Sequence, residues 1–167
     1  MNNIKDNTNL SVDDRYYMHL AIEQARTALS LDEVPVGSVV TDISGNVIGY
    51  GYNQTISACD PTAHAEIVAL KMAALTVGNY RLCGTTIYVT IEPCIMCMGA
   101  IIHARAARLV YGADDPKWGA AGSLYDFTCD KRLNHSIDVL SGVCLNETRE
   151  IIRHFFREKR SNKQCQI

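Results

Sequence analysis

No stretch of the 167-residue sequence offers the roughly 18 uninterrupted apolar residues that a membrane-spanning helix needs, because Glu, Arg, Asp or His interrupts every candidate. No membrane association is expected. The opening residues, MNNIKDNTNLSVDD, lack the basic-then-apolar order of a secretory signal. Internal repeats, low-complexity tracts and linker-like runs are missing as well. One domain over 1–167 is therefore expected, with 1–10 flexible and 161–167 a frayed tail. The seven cysteines are an odd number, which suits a reducing cytoplasm in which thiols stay free or bind metal. A chain of this length buries roughly 68–70% of its unfolded surface and needs no disulfide staples. A composition of 47% hydrophobic and 20% charged residues excludes disorder of the whole chain.

Charge of either sign is nearly balanced at −2, yet it is unevenly placed. Residues 1–144 carry 10 Lys/Arg against 15 Asp/Glu, and residues 145–167 carry 6 against 3. The basic end can attract a phosphate backbone, although on charge alone a solvated helical face is the simpler reading.

Hydrophobic spacing outlines the elements. Ser11 and Asp14 resemble a capping box, and Met18, Ala21, Ile22, Ala25, Ala28 and Leu29 follow at helical intervals. Val36 to Thr41 and Val47 to Tyr52 flank Ser44-Gly45-Asn46 as a hairpin. A helix is expected from about Ala63 to Leu75, a buried strand over Thr86 to Thr90, and a helix opened by Pro93 and running to about His103. A strand at Arg108 to Tyr111, a Gly/Asp/Pro-rich loop from Gly112 to Ser123, a strand near Ile137 to Leu140 and a helix from about Asn146 to Arg160 complete the chain. This order predicts an α/β fold with a mixed sheet of about five strands, helices on its faces and parallel neighbours after the hairpin.

His64-Ala65-Glu66 and Pro93-Cys94-Ile95-Met96-Cys97 each stand at an expected helix start, with a strand between them. Cysteines at i and i+3 share a helical face, and the unpaired N–H groups of a helix N-terminus favour thiolates. His64 adds a neutral nitrogen. Three such ligands leave the fourth zinc position to water, as catalytic sites do, and Glu66 is suited to move that water's proton. Two other uses remain open: a Cys-x-x-Cys redox pair, and a closed structural site completed by Cys59, Cys83, Cys129 or His103.

His-x-Glu with Pro-Cys-x-x-Cys is the signature of zinc-dependent nucleobase deaminases. The likeness extends over Pro35-Val36-Gly37, Asn53, Asp60 to Glu66, Asn79-Tyr80-Arg81-Leu82, Glu92-Pro93-Cys94, Met96-Cys97, Gly119 to Ser123, Asn134-His135 and Phe155-Phe156-Arg157. With these residues the chain resembles the bacterial tRNA-specific adenosine deaminase family from the first helix to about Arg160. The resemblance implies a three-layer α/β/α cytidine deaminase-like fold, a homodimer, and conversion of adenosine to inosine at the first anticodon position of tRNA. It implies one zinc per chain held by His64, Cys94 and Cys97, with Glu66 as proton shuttle. It further places Asn53 against the flipped base, Pro35 and Val36 on the pocket wall, and Asp114, Lys117, Phe155 and Arg157 near the tRNA anticodon stem-loop. Without it, Asn53 reads as a strand-end turn residue and Phe155 and Phe156 as core of the last helix. Trp118 departs from the family, which usually has a small residue there. The rival readings are a deaminase of free cytidine, deoxycytidylate or guanine, and a catalytically silent RNA-binding or structural zinc module.

Overall fold

The computed structural model describes residues 12–164, so Ser11 of the expected capping pair lies outside the described residues. Helix α1 (Val12–Ser30) leads into β1 (Gly37–Thr41) and β2 (Val47–Tyr52), followed by α2 (Ala65–Val77), β3 (Thr86–Ile91), α3 (Ile95–His103), β4 (Arg108–Ala113), β5 (Asp138–Ser141) and α4 (Leu145–Gln164). The sheet order is β2-β1-β3-β4-β5. β1 is antiparallel to both neighbours, while β3–β4 and β4–β5 are parallel.

Alternation along the strands builds two cores. Val40, Ile87, Val89, Leu109 and Tyr111 pack with α2 and α3, whereas Val39, Tyr88 and Val110 pack with Met18, Ala21 and Ile22 of α1 and with Ile151 of α4. A period of two turns successive side chains to opposite faces. Three layers follow, as expected.

Three details differ from the sequence reading. The hairpin strand β1 sits between β2 and β3, so the β2-α2-β3 unit joins strands of one direction that are not neighbours. Helix α3 starts at Ile95, because Cys94 is still extended (φ −72°, ψ 173°), which puts Pro93 outside the helix. Helix α4 continues past Arg160 through Gln164.

Because β2, β3, β4 and β5 all run the same way, their C-terminal ends lie along one edge of the sheet, together with the chain entering β1. Open α/β sheets bind ligands outside that edge. Helices α2 and α3 both start there.

Candidate active site

Close backbone approach sets where α2 begins. Gly51 of β2 lies under its first turn, and a Cβ on it would stand 2.6 Å from the Ala65 carbonyl oxygen and 2.7 Å from the Ala69 nitrogen. His64 is the residue before the helix (φ −74°, ψ 153°), and its ring makes no capping hydrogen bond. Asn53, at the end of β2, takes that role: Ala65 N–H donates to its Oδ1 at 2.8 Å. An N-cap side chain normally satisfies such an orphan amide. The histidine ring is thereby free for other use.

Cys94 stands before α3 as His64 stands before α2, and Cys97 follows in the first turn of α3. His64 Nδ1 lies 3.7 Å from Cys94 Sγ and 3.6 Å from Cys97 Sγ. The three donor atoms lie within 4.8 Å of one another. Cys94 falls to a pKa of about 4, chiefly because the Cys97 thiol donates to it and secondarily because of His64. Cys97 is pushed up, above all because its thiol donates a hydrogen bond to the Cys94 sulfur. His64 is raised by its hydrogen bond with Cys94. The set alone thus holds one thiolate. Holding both sulfurs as thiolates beside the imidazole at these distances would take a divalent cation among them, and nitrogen with sulfur donors fits zinc.

Glu66, in the first turn of α2, is only 3% exposed. Burial pushes its pKa up to about 7, and the Cys94 charge adds to the rise. A carboxyl poised near neutrality suits general acid and base work.

These groups form the foot of an open cleft of about 1390 Å³. Of the expected site residues, Val36, Asn53, His64, Glu66, Cys94, Asp114, Lys117 and Arg157 line it. Cys97 is buried behind Cys94. Pro35 is buried and does not line the cleft, and Val34 lines it instead. Phe155 is also buried, while its half-exposed neighbour Phe156 faces the cleft. Adjacent helical residues point about 100° apart, so only one of the pair reaches the cleft wall. Arg153, Arg157 and Arg160 recur at helical spacing on the α4 side of the cleft, and Trp118, 64% exposed, stands on the loop after β4.

The sequence reading gave no role to two buried acids, although Glu92 stands in the Glu92-Pro93-Cys94 segment that carries the resemblance. Glu92 accepts hydrogen bonds from the backbone N–H groups of Asp115 (3.0 Å), Ala121 (2.9 Å) and Ser123 (3.0 Å) and from the Ser123 hydroxyl. It fixes the loop that carries Lys117 and Trp118. Gly119 passes so close to this carboxylate that any side chain there would strike it. Glu33 accepts from Ser57 N–H (2.7 Å), Ile56 N–H (2.9 Å) and the Thr55 hydroxyl (3.2 Å), holding the loop between Asn53 and His64. Neither role is signalled by local spacing. Their partners are loop amides more than twenty residues away.

The family model for the cytidine and deoxycytidylate deaminase zinc-binding region matches residues 11–113. A tRNA-specific adenosine deaminase of Haemophilus influenzae is 47% identical over 92% of this chain and 88% of its own length. One from Agrobacterium fabrum is 48% identical over 87% of this chain and 95% of its own. Among solved structures, one from work on A-to-I editing by tRNA:A34 deaminases at the wobble position of transfer RNA superposes with a TM-score of 0.79. It is 46% identical and covers 81% of this chain and 98% of that one. The matched region includes both helix starts that meet at the foot of the cleft, and the chain belongs to the cytidine and deoxycytidylate deaminase zinc-binding family.

Proposed function

We propose that the protein is a tRNA-specific adenosine deaminase that converts adenosine to inosine at the first anticodon position. The observation that carries this reading is the continuity of the cleft, which runs from the buried Glu66 foot to an exposed face of α4 bearing Arg153, Phe156, Arg157 and Arg160. A small free base needs only the foot. A polynucleotide needs the arginines for its phosphates and an aromatic surface for its bases. The names of the relatives support the same substrate.

His64, Cys94 and Cys97 would hold one zinc per chain, and the metal would supply a water acidic enough to serve as nucleophile near neutral pH. The net reaction is adenosine plus water giving inosine plus ammonia, with a C–O bond formed and the C–N bond broken at C6. Glu66 would take the water's proton and deliver it to the adjacent ring nitrogen, then carry the proton left on the new C6 hydroxyl to the departing amine, so that ammonia leaves as the C6 carbonyl forms. Burial, which favours the neutral carboxyl, suits it to carry a proton in both directions. Asn53, whose Oδ1 is committed to Ala65, turns its amide hydrogens to an acceptor of the extruded base. Val34, Val36 and Ile91 form apolar walls around it. Extrusion costs little in an anticodon loop, where bases are already unpaired.

The protein acts as a homodimer in the cytoplasm on this reading. The outer face of α3, with Ile95, Gly99 and His103 exposed, supplies a partner surface. Among the described residues no helix is long and apolar enough to cross a membrane.

The test is inosine formation in an anticodon stem-loop, compared with free adenosine, cytidine and guanine under the same conditions. The stem-loop should be turned over and the free compounds barely. Glu66→Ala should keep its zinc and lose at least about 10²-fold in rate, the scale of positioned proton transfer. Rapid turnover of a free base with none on the stem-loop would overturn the assignment.

A further inference from the structure

We propose that His19, Cys144 and Glu147 form a second, solvent-facing site for a borderline divalent cation, with zinc as the ion to test. The donor atoms lie within 4.8 Å of one another. His19 Nε2 stands 3.4 Å from Glu147 Oε1 and 3.9 Å from Cys144 Sγ. Tetrahedral zinc with bonds of about 2.0–2.3 Å separates its ligands by about 3.4–3.6 Å, so the His19–Glu147 pair already fits and the His19–Cys144 pair needs to close by only a few tenths of an ångström. The two His19 separations are close to the 3.6 and 3.7 Å that join His64 to its two cysteines.

The local design also repeats. The Cys94 carbonyl accepts the first helical bond of α3, from Met98 N–H, and Cys97 follows three residues on. The Cys144 carbonyl accepts from Thr148 N–H at the start of α4, and Glu147 follows three residues on. In both places a donor before the helix and a donor in its first turn share one side, and a histidine from another element faces them. At the second place Cys144 has a left-handed φ of 53° where Cys94 is extended. The ligands differ as well: one thiolate, one imidazole and one carboxylate, with the His19 and Glu147 side chains about half exposed. This mixed set on the α1 and α4 face suits zinc with water completing the shell, held more weakly than the enclosed ion.

Two groups compete with a cation there. His19 Nε2 lies within ion-pair reach of Glu147 at 3.4 Å, and Arg15 interacts with the Cys144 thiol. If the ion pair is all the cluster does, Cys144 is a bystander. Zinc binding requires the thiol to lose its proton and Arg15 to give way, and it ties α1 to the start of α4.

The experiment is zinc titration of the holoenzyme, followed by metal analysis and by cobalt substitution at the weaker site. Wild type should bind a second equivalent that a mild chelator removes first, and cobalt there should show thiolate-to-metal absorption. Cys144→Ala and His19→Gln, on separate elements, should each lose the second equivalent and keep the first. Cys59→Ala and His154→Gln, at other exposed positions, should keep both. One equivalent at saturating zinc, or a second that survives in either Cys144→Ala or His19→Gln, overturns the proposal.

Discussion

Glu33 is fully enclosed, yet no cation is needed to keep it charged. Burial raises its pKa, and the hydrogen bonds from Ser57, Ile56 and Thr55 more than reverse the effect, leaving it below its ordinary 4.5. A depressed pKa in the folded state means that folding favours the ionised form. Its stabilisation is complete above about pH 4.5 and fades as pH falls through the folded-state value. Glu33→Gln should therefore cost about 1–3 kcal/mol at neutral pH, because an amide nitrogen would face backbone N–H donors. The gap between parent and variant, measured by urea unfolding, should narrow below about pH 4.5. A gap that stays constant to about pH 3 would show that charge is not what the loop needs. The same chemistry explains what a reading of the sequence reaches. His64, Glu66, Cys94 and Cys97 are conspicuous because their spacing is short and repeats at helix starts. Glu33 and Glu92 look like any other acid until the chain folds loop amides around them. Phe155 and Phe156 differ only in helical phase, which the pattern of α4 leaves ambiguous by one residue.

At the scale of elements, the site depends on how tightly α2 lies on β2. Gly51 has no room for a methyl group beneath Ala65 and Ala69. Gly51→Ala should lift the first turn of α2, shift His64, and destabilise the fold by about 1–3 kcal/mol, the scale of overpacking. Zinc should then be lost to a chelator faster than from the parent, and the urea midpoint should fall. Unchanged zinc release with a lowered midpoint would mean that His64 tracks the metal independently of the helix. The helices and strands themselves follow from apolar spacing, and β5, expected near Ile137 to Leu140, lies at Asp138–Ser141. The insertion of β1 between β2 and β3 does not follow from local pattern, because a hairpin can extend a sheet from either strand. Burial of Val39 and Val40 on opposite faces decides it, since only an interior strand is covered on both sides.

For the molecule as a whole, the acidic body and basic α4 separate catalysis from capture. Phosphate contacts by Arg153, Arg157 and Arg160 should make the logarithm of stem-loop affinity fall with the logarithm of salt, by roughly 0.7 per contact to single-stranded RNA. Arg157→Ala with Arg160→Ala should flatten that slope by up to about 1.4 and leave zinc content unchanged. A slope equal to the parent's would place the phosphates elsewhere.

The position of Trp118 gives the cleft its own optical reporter. It is the single tryptophan of the chain, and it stands exposed on the cleft lining, on a loop fixed by Glu92. All indole emission therefore originates at the mouth of the site, without a label and without a background from the core. The free protein should emit at long wavelength and be readily quenched by a solute in the buffer. An occupant of the mouth should shield the indole and change its intensity, whereas a compound bound only at the Glu66 foot should leave the signal nearly unchanged. A stopped-flow trace would then time arrival at the mouth separately from the release of ammonia.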